Sequence, residues 1–296
     1  IKAPISGNLR GIIYMIIGMA CFTCGDMFVK LSSEELPTGQ IMISLGVGCV
    51  IIFATMLKRS GETIWNPAFF ERPVLLRNAG EIVASYGMFM ALTHSPLSTV
   101  TAITQALPLL LTVAAALFLG EKVGKHRIWA VIIGFIGSLI VIRPGMSGFD
   151  QYSLLTLLAV FGMAMRDKGP RLTRSSISSL LLSFYSTLTL LVFGIFLLTL
   201  SGGAKIPSLT TSFYLLGLVV AAALGIMMIT QSVRIGEISV VSPFRYIRLL
   251  FAVTLGIFIL DETIDHYTII GSIITILAGL YIWVRENRIK PTSQIK

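Results

Sequence analysis

The sequence predicts an all-α integral membrane protein: ten transmembrane helices arranged as two inverted five-helix repeats. Three observations carry this. First, 55% of the 296 residues are hydrophobic and only 12% are charged, where a soluble globular chain carries about 25% charged residues. Second, windows of about 20 apolar residues, the length that crosses a hydrocarbon core, recur along the whole chain. Third, the chain repeats itself. Leu97-Ser-Thr-Val through Leu119-Gly-Glu121 aligns without a gap on Ile238-Ser-Val-Val through Leu260-Asp-Glu262, at an offset of 141 residues. Ser98 meets Ser239, Val100 meets Val241, Leu109 meets Leu250 and Leu119 meets Leu260. The same offset carries Asp26 onto Asp167, Lys30 onto Arg171 and Leu31 onto Leu172.

The expected spans are, in order, Leu9–Leu31, Gln40–Leu57, Val74–Leu92, Leu97–Leu119, Ile128–Ile142, Ser153–Met165, Ser179–Leu200, Phe213–Gln231, Ile238–Leu260 and Tyr267–Val284. They group into repeats at 8–145 and 149–288. Spans 5 and 6 are short, and span 6 is expected to run on through Arg166 and Asp167. The longest loop, Lys58–Arg72, holds Trp65, Pro67, Phe69 and Phe70. Such aromatics favour the headgroup level, so an interfacial turn is expected there. The first apolar run is too long for a signal-peptide core, lacks a small-residue cleavage site and is followed by more spans, so no secretory signal is expected. Cys21, Cys24 and Cys49 lie in apolar runs. Two cysteines at a C-x-x-C spacing are too few for structural zinc, and all three read as small packing residues.

The net charge of +9 raises a nucleic-acid binder, but its distribution argues for membrane orientation instead. One side collects Lys2, Arg10, Lys58, Arg59, Arg72, Arg77, Lys122, Lys125, Arg127, Lys168, Arg171, Arg174, Arg234, Arg285, Arg288, Lys290 and Lys296. The other holds Arg143, Lys205 and Lys30. Positive residues stay cytoplasmic, which places both termini there. Five spans per repeat is an odd number, so the second copy starts from the opposite side and equivalent loops should carry opposite bias. Gly120-Glu-Lys-Val-Gly-Lys-His-Arg127 is basic, whereas Asp261-Glu-Thr-Ile-Asp-His266 has no Lys or Arg. Inverted repeats of this kind suit alternating access around a midplane site.

Two five-span units, each with a fourth span ending in Leu119-Gly-Glu121 or Leu260-Asp-Glu262, resemble the drug/metabolite transporter superfamily, EamA type. Gly137 and Gly271 stand where that repeat has glycines, and Gly134-Phe-Ile-Gly137 with Ile142-Arg-Pro-Gly145 is similar to its pattern. Two departures are Asp261 in place of a glycine and Ala130 in place of another. Met165-Arg-Asp167 and Ser242-Pro-Phe-Arg-Tyr246 resemble a branch that includes bacterial S-adenosylmethionine and riboflavin uptake carriers. The resemblance implies a multi-pass protein of the bacterial inner membrane. It also implies a central cavity lined by spans 1, 3, 4, 6, 8 and 9.

The polar residues inside the spans are the candidate site. Arg245 and Arg248 lie within the ninth span at i, i+3, on one helical face. An arginine at bilayer depth costs at least about 2.5–3.5 kcal/mol, so both must face protein, water or ligand. They read either as structural ion pairs or as a substrate or gating site. Glu81 in span 3 is either their buried partner or a group for a substrate ammonium or a proton. Gln105 and its equivalent Tyr246 read as binding groups or as an interhelical bond. Tyr86 and Phe244 are candidates for an apolar wall or for plain core. Asp26 with Lys30, and Asp167 with Arg171, are acid-then-base pairs at i, i+4. They are either helix-end ion pairs or matched gate contacts on opposite faces. Pro108 is expected to kink span 4, and Pro243 to open span 9, exposing backbone carbonyls. His94, His126 and His266 are not spaced for a metal, and no cofactor is expected.

The reading is a secondary carrier for a small polar metabolite bearing a carboxylate or phosphate, or zwitterionic; the resemblance favours S-adenosylmethionine or an amino-acid-like solute. Membrane lipids surround it, protons or a counter-substrate are candidate partners, and it is a monomer or homodimer. An exporter or lipid flippase of the same fold is the alternative. An intramembrane enzyme is disfavoured, since no metal triad or G-x-S-x-G stands in a span. There is no Walker sequence, so a gradient or exchange is the expected energy source.

Overall fold

The computed structural model describes residues 5–110, 125–143, 150–172, 177–236 and 238–289. Among them the regular structure is helical, without strands. The helices are α1 (Ile5–Ser33), α2 (Thr38–Ser60), α3 (Arg72–His94), α4 (Leu97–Thr104), α5 (Lys125–Ile142), α6 (Tyr152–Leu172), α7 (Ser179–Leu200), α8 (Leu209–Ile235), α9 (Ile247–Ile259) and α10 (His266–Ile289). Among the described residues, five stretches are long and apolar enough to cross a membrane: Gly7–Ser33, Thr38–Ser60, Leu180–Leu200, Leu209–Ile235 and His266–Arg285. Lipid offers no hydrogen bonds, so a spanning chain must satisfy its own backbone, and helices do this. Large apolar side chains such as Ile51, Val192, Phe196, Phe213 and Phe258 point outward, as a hydrocarbon solvent permits.

Span 6 runs on through Arg166 and Asp167 to Leu172, as the sequence leads one to expect. Two spans are interrupted near the prolines that the sequence marks as disturbing them. Span 4 is helical to Thr104, turns at Gln105 and Ala106, and resumes as far as Leu110; its remainder, from 111 to 119, lies outside the described residues. Pro108 explains the turn. It has no N–H for the Thr104 carbonyl, and its ring presses on that group. Span 9 is a single turn at Ile238–Val241, then a 3-10 turn at Ser242–Tyr246, then α9. Here Pro243 withholds the N–H that Ser239 would accept. The long loop between α2 and α3 carries its own 3-10 turn, Pro67–Phe70. Phe69 sits edge-on to Tyr185 at 4.9 Å, the Tyr185 hydroxyl donates to the Ile64 carbonyl at 3.0 Å, and Trp65 stands 92% exposed.

The chain forms two compact units: unit 1 comprises Ile1–Thr23, Pro96–Ser153 and Leu224–Lys296, and unit 2 Cys24–Ser95 and Leu154–Ala223. In unit 2, α3 and α6 touch backbone to backbone. A Cβ on Gly80 would lie 2.7 Å from the Arg166 nitrogen and 2.8 Å from the Gly162 carbonyl. Small residues allow this approach, which in a membrane supplies the dispersion that water would otherwise drive. In unit 1, α5 crosses α10 in the same manner at Gly137 and Gly271, where a Cβ on Gly137 would stand 2.8 Å from the Gly271 carbonyl. The Thr275 hydroxyl locks the crossing, donating to Gly134 O at 3.2 Å and Gly271 O at 2.9 Å. Ala130, where the family pattern has glycine, is buried with Ala106, Leu109, Ala278 and Ile282.

Helix starts are capped by acids from elsewhere in the chain. Glu262 accepts the Leu97 N–H at 2.5 Å, the Ser98 N–H at 3.2 Å and the Ser98 hydroxyl at 2.9 Å. These are orphan donors of α4's first turn, where the helix dipole favours a negative charge. Glu35 does the same in unit 2, taking the Ser208 N–H at 2.6 Å and its hydroxyl at 2.8 Å. Hydrogen bonds from Thr211 and Ser208 hold the Glu35 carboxyl below its ordinary value.

Candidate functional site

In unit 1 the two interruptions meet. The Gln105 amide donates to the Tyr246 carbonyl at 3.3 Å, between residues 141 apart. A 3-10 segment leaves carbonyls less firmly engaged than an α-helix, and the buried Gln105 takes up one of them. The Tyr246 side chain runs the other way, with its hydroxyl against α10 at Gly279, where any side chain would collide. Arg248 follows two residues later and sets its guanidinium 5.8 Å from the centre of the Phe22 ring. That is cation–π range, an arrangement that holds a cation without neutralising its charge. Phe244 joins Met15, Met19 and Val241 in an apolar cluster with Phe22 and Phe251. Arg245 is half-buried at the end of the 3-10 turn.

In unit 2 the charges are met differently. Glu81 is ion-paired with Arg166 at 3.6 Å and accepts the Ser85 hydroxyl at 3.2 Å. Arg77 donates to the Arg166 carbonyl at 3.3 Å. Lys30 donates to the Ser95 carbonyl at 2.6 Å, at the C-terminal end of α3, where the helix dipole is negative. Asp26 lies one turn before Lys30 on α1. Tyr86 sits edge-on to Phe193 at 6.2 Å. Asp167 and Arg171 lie in α6, and their side chains are outside the described residues.

The structure thus brings together Gln105 and Tyr246, and gives Glu81 a partner, Arg166, within its own unit. Three residues escaped the sequence reading. Phe22 carried one signal, its place one turn before Asp26. Glu262 was visible as part of an acidic pair but not as a helix cap. Asn78 is 6% exposed, one turn before Glu81, and neither end of its amide is hydrogen-bonded among the described residues. A buried amide left so costs about 1–3 kcal/mol. Asp261 has a positive φ of 50°. The left-handed conformation favours glycine, and this explains why the family pattern has glycine there. Aspartate is among the few residues that tolerate it.

Charged side chains inside the spans of a multi-pass helical membrane protein mark a functional pathway, which suits a transporter. The sequence profile of the EamA-like transporter family matches residues 9–143 and again 151–284, and the chain belongs to that family. Among curated relatives, the S-adenosylmethionine uptake transporter of Rickettsia prowazekii is 26% identical over 286 residues, covering 95% of this chain and 94% of its own. The riboflavin transporter of Vibrio cholerae is 28% identical, covering 95% of both. The pseudopaline exporter of Pseudomonas aeruginosa is 24% identical, covering 90% of this chain and 94% of its own. A solved crystal structure with 12% identity covers 96% of this chain and 99% of its own at a TM-score of 0.63, and so shares the fold. This chain is a drug/metabolite transporter for a small molecule.

Proposed function

We propose that the protein is a secondary carrier of the bacterial inner membrane, with both termini cytoplasmic. Its two repeats, inverted with respect to each other, would give access to each side in turn. Its substrate is a small metabolite bearing a carboxylate or phosphate, or a zwitterion. The observation that carries this reading is Arg248: a guanidinium inside an apolar span, just past a break in the helix and over an aromatic ring. Arg245 and Arg248 form the anionic subsite. Phe22 and Phe244 line its apolar side, and Gln105 and Tyr246 hold the break that presents it. Within unit 2, Asn78, Glu81 and Tyr86 give α3 a polar and aromatic face that is a separate candidate for solute contact, with Glu81 held by Arg166. Asp26 and Lys30, and Asp167 and Arg171, act as gate contacts on opposite faces. Relatives that carry S-adenosylmethionine or pseudopaline make an amino-acid-like solute the first to test.

Counterflow in proteoliposomes tests the reading whichever direction the cell uses. Arg248→Leu should fold normally and lose substrate binding. Arg248→Lys should be poor as well, because a point charge does not replace a planar fork on a carboxylate. If Arg248→Leu transports like wild type, Arg248 is structural and the reading is wrong.

A further inference from the structure

Away from the interrupted spans, unit 1 carries a groove of about 370 Å³ along the seam of α5 and α10. Its walls are Trp129, Ala130 and Ile133 on one helix and Ile274, Leu277 and Ala278 on the other, and it ends at His126 and Tyr281. From His126 to Ile133 is seven residues, roughly 10 Å along the axis at 1.5 Å per residue. The glycine crossing at Gly137 and Gly271 lies about one turn beyond Ile133 and Ile274. The other end is polar. The Tyr281 hydroxyl lies 3.3 Å from His126 Nδ1, and Arg285 donates to the same hydroxyl at 3.3 Å. Lys125 and Arg127 flank His126 in the sequence. Trp129 and Leu277 are 63% and 60% exposed, so the apolar walls open outward, toward acyl chains.

We propose that this groove is a specific site for an anionic phospholipid. One acyl chain lies between Trp129, Ile133 and Leu277, and the phosphate sits at Arg285 and His126, bridged by the Tyr281 hydroxyl. The occupant follows from charge and geometry. An apolar trough about half a leaflet long ends in a cation and two hydrogen-bonding groups at the headgroup level, and the lipids of the cytoplasmic leaflet are anionic. Assigning the site to that leaflet rests on the orientation proposed above; the lipid contact does not.

The test uses the three tryptophans of the chain. Trp65→Phe with Trp283→Phe leaves Trp129 as sole reporter in the groove, and brominated acyl chains quench an indole on contact. In proteoliposomes, dibrominated phosphatidylglycerol should quench Trp129 half-maximally at a mole fraction about fivefold lower than dibrominated phosphatidylcholine, the preference expected of one basic residue at the surface. Arg285→Gln with His126→Gln should remove the preference while quenching persists, and Arg285→Lys should keep it. Quenching reads contact in either orientation, so a failed carrier reading leaves this result standing. Equal quenching by both lipids would overturn the proposal, as would a preference that survives the double substitution. An absence of quenching by any lipid, the mark of a second copy of the chain seated on the groove, would overturn it as well.

Discussion

Spans 4 and 9 stand at equivalent positions in the two repeats and are interrupted at the same level, at Gln105 in one and Tyr246 in the other. They differ in what surrounds the break. Span 9 places Arg245 and Arg248 there; at the matching positions span 4 has Thr104 and Leu107. The prolines differ too: Pro108 lies three residues beyond Gln105, whereas Pro243 lies inside the Ser242–Tyr246 turn. Since a proline frees the carbonyl four residues behind it, Pro108 releases Thr104 and Pro243 releases Ser239, and the turns that result differ in length. The interruption and the bond across it are common to both repeats, whereas the charge belongs to one. The scaffold is symmetric and its chemistry is not.

The largest effect expected is at that charge. Arg248→Leu should weaken substrate binding by about 1.5–3 kcal/mol, roughly 10- to 140-fold, read from the half-saturating concentration for counterflow. Leu107→Met at the equivalent site should leave it unchanged. Equal losses from the two would break the comparison. Next is the packing of the span 9 break. Gly279→Ala should cost about 1–3 kcal/mol in stability by overpacking against the Tyr246 hydroxyl, and Tyr246→Phe in the same chain should recover only part of it, because the ring Cζ would still lie 2.6 Å from the new Cβ. The equivalent pair is Gln105 and Ser138, so Ser138→Ala should shift the melting temperature much less.

Smaller effects are expected at the ends of these spans. Glu262→Ala strips α4 of its cap and should cost about 0.5–2 kcal/mol, seen as a lower melting temperature in detergent. Asp261→Gly, which relieves the positive φ, should raise that temperature by the equivalent of about 0.5–1 kcal/mol. The smallest is a pH effect in the loop after span 9. Burial works against the charge on Asp265, but hydrogen bonds from Thr268 and the Arg143 guanidinium outweigh it and hold the carboxyl below its usual range. A depressed folded value means the contribution is complete above about pH 4 and is lost as the pH falls through that value. Asp265→Asn should thus lower stability at neutral pH by a few tenths to about 1 kcal/mol and converge with wild type in acid. Span 4 is followed by Gly124 at the matching place, so no acid there adds to the slope.

The helical class was legible because lipid forces long apolar runs, and such runs survive any rearrangement of neighbours. The repeat was legible because span 4 and span 9 share enough residues to align. The breaks were visible only as prolines. Pro108 and Pro243 each signal a disturbed helix, but their different registers concealed that both disturb the same level. Glu81 shows the limit most clearly. A carboxylate in a span demands a partner, and sequence alone does not say which helix lies beside it. The partner in unit 2 is Arg166, brought close because Gly80 and Gly162 let α3 and α6 touch. Phe22 was hidden for another reason: an aromatic one turn before Asp26 in an apolar helix is a weak signal until a guanidinium is found above it.

The carboxylate of Glu262 has a mechanical meaning. It sits just past the end of α9 yet grips the first turn of α4 by three hydrogen bonds. Pulling those ends apart would strand two amide hydrogens and a charge where water is scarce. The joint therefore works as a pin. If α9 tilts while a solute is carried, α4 must swing with it about that point, and the travel is greatest at the far ends of the two rods. A single side chain would thus couple the two helices as one lever.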